Sequence, residues 1–152
     1  MHDLVIDNAL VIDGTGAPRR TASLAVRNGR IAAIGENLGQ GAQRLDAQGL
    51  ALAPGIIDLH THYDAQLIWD AFATPSVALG VTSVVIGNCG FTIAPCRAPD
   101  RDLTLRNLTH VEGMPLEALR EGVQWDFETY PDYLRMLERR GLVPNVASFI
   151  GH

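Results

Sequence analysis

The sequence predicts an α/β protein: the start of a (β/α)8 barrel of the TIM type, incomplete with about three strands, preceded by part of a small β-sandwich domain. Three observations predict it. The first fifty residues hold short alternating apolar segments parted by turn residues. From there the apolar runs lengthen and lose their alternation, as strands do when buried on both faces of a parallel sheet. Helix-forming stretches then separate these runs, giving the order strand, helix, strand, helix, strand. The division falls between residues 1–52 and 53–152.

In the first part the strand segments are Leu4 to Ile6, Ala9 to Ile12, Leu24 to Val26, Ile31 to Ile34 and Gln43 to Asp46. Asp13-Gly14, Asn28-Gly29 and Gln48-Gly49 punctuate them. Asn28-Gly29 is a hairpin signal, because both residues tolerate the positive φ that a tight two-residue turn demands.

In the second part the strands run from Gly55 to His60 or a little beyond, from Val81 to Asn88, and from Pro144 to Ile150. A short helical segment around Pro75 to Leu79 precedes the second. After it comes a long connection: polar residues from Arg97 to Arg106, a helix-compatible piece from Met114 to Glu121, and a clear helix from Tyr130 to Arg140. Thr129 caps that helix, Pro131 sits in its first turn where a missing N–H is harmless, and Gly141 stops it. Phe127, Tyr130, Leu134 and Leu137 form its apolar stripe, which reads as core packing. A complete eight-stranded barrel takes roughly 250 residues, so three strands are what a chain of 152 can supply.

Composition narrows the function. With 47% hydrophobic and 19% charged residues the chain is globular rather than disordered. All 12 basic residues are scattered arginines and the formal charge is −5, which excludes a basic nucleic-acid-binding surface. Acids at Asp3 and Asp7 break any secretory-signal pattern, and no apolar run reaches the roughly 18 residues of a membrane span. The expectation is a cytoplasmic protein with no membrane or nucleic-acid partner. In that compartment Cys89 and Cys96 stay reduced; a disulfide between them is the alternative.

The chemistry concentrates in two stretches. In Asp58-Leu59-His60-Thr61-His62, side chains alternate along a strand, so Asp58, His60 and His62 share one face. The other face, Ile57, Leu59 and Thr61, packs against surrounding helices. Two imidazoles at such spacing can hold one metal ion and leave a position open for water; the alternative is a pair of unrelated, hydrogen-bonded histidines. Asp58 either orients a ligand imidazole or ties down neighbouring backbone. Asp64, just past the strand, is either a solvated loop acid or a functional one. In Val84-Val85-Ile86-Gly87-Asn88-Cys89-Gly90, Cys89 ends a buried strand, from which a thiolate can reach the same barrel mouth. A buried cysteine is otherwise a small apolar filler. Cys96 lies off the strand and carries no assigned role.

Three segments, Pro-Gly-Ile-Ile-Asp-Leu-His-Thr-His-Tyr-Asp-Ala-Gln from Pro54, Gly-Val-Thr-Ser-Val-Val-Ile-Gly-Asn-Cys-Gly-Phe from Gly80 and Val-Pro-Asn-Val-Ala-Ser-Phe-Ile-Gly-His from Val143, together resemble the N-acyl-D-amino-acid deacylase (D-aminoacylase) branch of the amidohydrolase superfamily. The resemblance extends to the opening Asp-Leu-Val-Ile-Asp-Asn-Ala and to Trp125-Asp126-Phe127-Glu128. It implies that His60 and His62 bind metal and that Cys89 is the thiolate ligand replacing the carboxylated lysine of hydantoinase-like relatives; this chain has no lysine. The implied cofactor is zinc, as one or two ions, with other divalent metals as alternatives, and the implied substrate is a small-molecule amide. Tyr63 departs from the second acid that D-aminoacylases often carry at its position. His152, at the end of the third strand, either lines the pocket or is structural.

The resemblance further implies that the remaining histidine ligands and the catalytic aspartate come from later strands, beyond His152. The expectation is therefore a hydrolase of non-peptide C–N bonds when full length, with the 152-residue chain alone inactive. Two rival readings stand beside it: a cyclic amidohydrolase of the hydantoinase or dihydroorotase kind, and a truncated, non-catalytic fragment.

Overall fold

The computed structural model describes residues 1–150 as a mixed α/β arrangement in two compact units, the first spanning Met1–Pro54 and the second beginning at Gly55. His152 lies outside the described residues.

The first unit is one five-stranded sheet. β1 (His2–Val11), β2 (Arg20–Arg27) and β3 (Arg30–Gly35) form an antiparallel meander. Its tight turn is Asn28-Gly29, with φ of 51° and 68° as that turn requires. β4 (Gly41–Asp46) and β5 (Ala51–Leu52) both lie parallel to β1, β4 along its first half and β5 along its end. What reads in sequence as two strands, Leu4 to Ile6 and Ala9 to Ile12, is one. The register shifts between Ile6 and Ala9, where Asn8 takes a φ of 55°, so a bulge and not a turn separates the two halves. Ala9, Val11 and Ala22 form a small buried cluster against which Ile6, Ala47 and Leu52 pack.

The second unit is built on a parallel sheet of β6 (Ile56–Asp58), β7 (Val81–Ile86) and β8 (Asn145–Ser148), with β7 in the centre. Both flanking strands are short. Gly55 admits no side chain, because a Cβ there would collide with the side chain of Thr82 on β7. Three helices follow: α1 (Arg101–Glu112), α2 (Leu116–Gly122) and α3 (Tyr130–Arg140). Val84 and Ile86 of β7 are buried with Leu105 and Leu108 of α1, Leu119 of α2, and Tyr133, Met136 and Leu137 of α3. Burying such a set of large apolar side chains contributes roughly 1.5–3 kcal/mol apiece before chain entropy is subtracted.

Four expectations change here. β6 ends at Asp58, so His60 and His62 stand on the loop beyond it. Ile57 and Leu59 do not pack under helices; they remain 61% and 70% exposed because β6 is an edge strand of the described sheet, while the helices cover the Val84 and Ile86 face. The polar stretch from Arg97 contains the first half of α1, which the pattern hides because only Leu105 and Leu108 of that helix are buried. On α3 the buried residues are Tyr133, Met136 and Leu137, with Tyr130 and Leu134 at the margin, so the stripe is rotated from the expected one. Its ends behave as read: Thr129 Oγ1 accepts the Asp132 N–H (3.3 Å), and Gly141 closes the helix at a φ of 72°.

Candidate metal centre

The loops that leave the carboxyl ends of β6 and β7 are neighbours because the strands are adjacent and parallel. The first carries His60 and His62, and the second carries Cys89. β7 ends at Ile86, after which Gly87 and Cys89 both take left-handed backbone conformations (φ 77° and 58°). A side chain at Gly87 would meet the Phe149 carbonyl oxygen at 2.5 Å, so the turn there requires glycine. Cys89 is thus in a tight turn over Asn88–Gly90 and exposed, where the sequence places it at the end of a buried strand.

The turn brings three donors together. Nitrogens of His60 and His62 and the sulfur of Cys89 lie within 4.8 Å of one another. His60 Nε2 is 3.1 Å from Cys89 Sγ, and the two imidazole rings meet at 61° with centroids 5.4 Å apart. The His62 and Phe91 rings form a T-shaped pair with centroids 6.3 Å apart. Burial, aided by the neighbouring His60, holds the His62 imidazole below the usual histidine range. Its Nδ1 is buried without a hydrogen-bond partner.

The other candidates divide. Asp58 accepts the His60 backbone N–H at 3.1 Å, a bond to backbone and not to an imidazole. Asp64 is fully buried, with its Oδ2 accepting the Gly87 N–H at 3.0 Å. Desolvation pushes its carboxyl up to about 6 against that hydrogen bond. The Asp64 carbonyl accepts the Tyr133 hydroxyl from α3 at 2.8 Å. Cys96 is buried and free, beside Thr104.

Three residues without an assigned role in sequence shape the site. Thr61 donates both its N–H (3.1 Å) and its hydroxyl (2.8 Å) to the Val85 carbonyl. Asn88 donates its side-chain amide to the carbonyls of Thr61 (3.1 Å) and Val85 (2.8 Å). Tyr63 bonds Ser76 through its hydroxyl at 2.7 Å. The available signal for Thr61 and Asn88 was adjacency: each sits next to a metal-ligand candidate at the end of an apolar run.

Residues 43–152 match the amidohydrolase family of the amidohydrolase 3 type. D-aminoacylase of Alcaligenes xylosoxydans xylosoxydans is 41% identical over 152 residues, covering 99% of this chain and 29% of its own. A solved D-aminoacylase structure, described as defining a novel subset of amidohydrolases, superposes with a TM-score of 0.79 at 36% identity, covering 100% of this chain and 30% of that one. N-acyl-D-glutamate deacylase from Bordetella bronchiseptica, solved with zinc and a phosphonate mimic of the tetrahedral intermediate, gives a TM-score of 0.71 at 38% identity, with 99% and 30% covered. The chain spans under a third of the length of these relatives. Matched to the family over most of its length and to deacylases throughout, this chain belongs to the amidohydrolase family.

Proposed function

We propose that this chain is the amino-terminal, metal-binding part of a hydrolase of non-peptide C–N bonds that deacylates N-acyl-D-amino acids or related small-molecule amides. The observation that carries the reading is the convergence of His60, His62 and Cys89 at the ends of two adjacent parallel strands. We read β6, β7 and β8 as the first three strands of a (β/α)8 barrel, whose sites lie at that end, and the Met1–Pro54 sheet as part of a β-sandwich. The protein is proposed to be cytoplasmic; among the described residues no helix is long and apolar enough to cross a membrane.

The residues fit a zinc-type ion. Tetrahedral nitrogen and sulfur donors at zinc stand about 3.4–3.6 Å apart, and the observed set brackets that separation, from 3.1 Å upward within 4.8 Å. Two imidazoles and a thiolate are a borderline-soft set that suits zinc over magnesium or calcium. One orphaned ring nitrogen, His62 Nδ1, awaits a partner. One or two divalent ions are proposed, zinc being the ion described in the Bordetella bronchiseptica deacylase.

The chemistry such an ion supplies when bound is Lewis-acid activation of water and of an amide carbonyl. The chain's own residues do the rest. His60 and His62 would hold the ion through neutral rings and Cys89 through its thiolate, with Phe91 packed beside His62. His60 and Cys89 are exposed in this chain. Asp58 and Asp64 are committed to backbone N–H groups, so neither is assigned the proton that the leaving amine requires. That group is proposed to lie beyond His152.

Full-length protein offered N-acyl-D-amino acids and hydantoins as separate substrates tests the reading. Preferential release of the acyl group supports it, whereas preferential ring opening favours the cyclic amidohydrolase. The 152-residue chain alone is expected to turn over neither, and robust hydrolysis by it would contradict the placement of the proton-transfer group.

A further inference from the structure

We propose that Asp64 and Asn88 are positioning residues of the metal centre, clasping the Cys89 loop to the loop that bears His60 and His62. The inference rests on the metal-binding reading of those three residues. Cys89 stands three residues past the last residue of β7, and no ladder pairing holds it there. Three side-chain bonds, made at Gly87 and Asn88, hold the turn where it begins. Asp64 Oδ2 holds the Gly87 N–H at 3.0 Å, and the Asn88 amide holds the Thr61 carbonyl at 3.1 Å and the Val85 carbonyl at 2.8 Å.

Both anchors are buried, so water does not compete for either bond. The Asp64 backbone carbonyl is held by the Tyr133 hydroxyl, which ties this clasp to α3 and the core. Thr61 lies between the two histidines in sequence, so the Asn88 bond acts on the peptide that spaces the imidazoles. The clasp therefore links all three donors at backbone positions one or two residues from each of them. Loosening either bond frees the left-handed turn to carry the sulfur away from His60, now 3.1 Å distant. Losing groups that orient ligands commonly lowers metal affinity about 10–100-fold.

The experiment is titration of the full-length protein with Co2+, read by the near-ultraviolet thiolate-to-cobalt charge-transfer absorption and by the visible bands. Wild type is expected to develop the thiolate absorption and Cys89→Ser to lack it. A wild type without that absorption, or a Cys89→Ser that retains it, overturns the metal reading and the clasp with it. With that reading upheld, Asp64→Ala and Asn88→Asp are expected to bind Co2+ about 10–100-fold more weakly, with diminished thiolate absorption. Far-ultraviolet circular dichroism of the metal-free variants is expected to match wild type. Asp64→Asn keeps an oxygen acceptor for Gly87 and is expected to restore affinity, which a general loss of buried charge would not do. A folded Asp64→Ala or Asn88→Asp that binds Co2+ like wild type overturns the clasp alone. Should Asp64→Ala fail to fold, Asn88→Asp and the Asp64→Asn rescue decide it.

Discussion

The two units build sheets by opposite means. The first joins three strands by short local connections and returns two more beside β1, with a buried cluster of only Ala9, Val11 and Ala22 around which half-buried side chains pack. The second pairs strands far apart in sequence, such as Ser83 with Asn145, and sinks large side chains from three helices and β7 beneath them. Local turns shape the meander of the first, to which β4 and β5 add pairings between residues about 40 positions apart. The second depends on its larger core, which reaches the loops carrying His60, His62 and Cys89 through the buried Asp64. The donors are placed by the unit with the larger core, which is where a site needing sub-ångström placement gains most from rigid support.

The contrast predicts a hierarchy of responses. Leu67→Ala, at a fully buried position of the second unit, is expected to destabilise that unit by about 2–5 kcal/mol in urea unfolding. A loss under about 1 kcal/mol would show the core to be more plastic than its burial implies. In the first unit the fully buried Val5→Ala removes two methyl groups, for an expected loss of about 1.5 kcal/mol. Equal losses at the two positions would erase the distinction between the units. Thr129→Ala removes the α3 cap and should lower stability by about 1 kcal/mol, read as a shift in the urea midpoint.

A further expected effect is confined to a pH window. Glu112, at the end of α1, is desolvated and faces the charge of Asp64, which together push its carboxyl up to about 7. A carboxyl raised in the folded state binds its proton more tightly there than in the unfolded chain. Its contribution is therefore fully present below the unfolded value of 4.5 and is lost as pH rises through about 7. Glu112→Gln should flatten the decline in stability over that interval, and an unchanged slope between wild type and variant would refute the assignment.

Exposed apolar residues sharpen the comparison in another way. Ile56, Ile57 and Leu59 on and after β6, and Phe149 and Ile150 after β8, stand open at the two edges of the second unit's sheet. Strand edges flanked by apolar surface invite pairing with another chain. Size-exclusion chromatography of the 152-residue chain is expected to show self-association that grows with concentration. A clean monomer at all concentrations would count against an unfinished barrel.

Much of this was legible in the order of residues. The Asn28-Gly29 turn, the Tyr130–Arg140 helix with its Thr129 and Gly141 ends, and the parallel strands about Ile57 and Val84 follow from local signals that act within a few residues. The bulge at Asn8 was not, because a residue tolerant of positive φ marks a turn and a bulge equally well. Nor was α1, whose buried stripe is only Leu105 and Leu108. The juxtaposition of His60, His62 and Cys89 follows from their spacing and surroundings, whereas the Asp64 bond to Gly87 does not. A carboxylate just past a strand looks the same in sequence whether it faces water or, as here, a backbone N–H in the core.

By itself the sequence determined which residue types were available for a metal site and which short segments would turn, cap or extend, since those properties depend on near neighbours. Only the tertiary structure decided that the strand ends before the histidines, that Cys89 reaches His60 from a left-handed turn and not from a strand, and that Asp64 and Asn88 join the two loops. Each of these depends on contacts between residues some 20 to 30 positions apart. Such contacts form only when a core has been buried to hold them, and no local propensity records them.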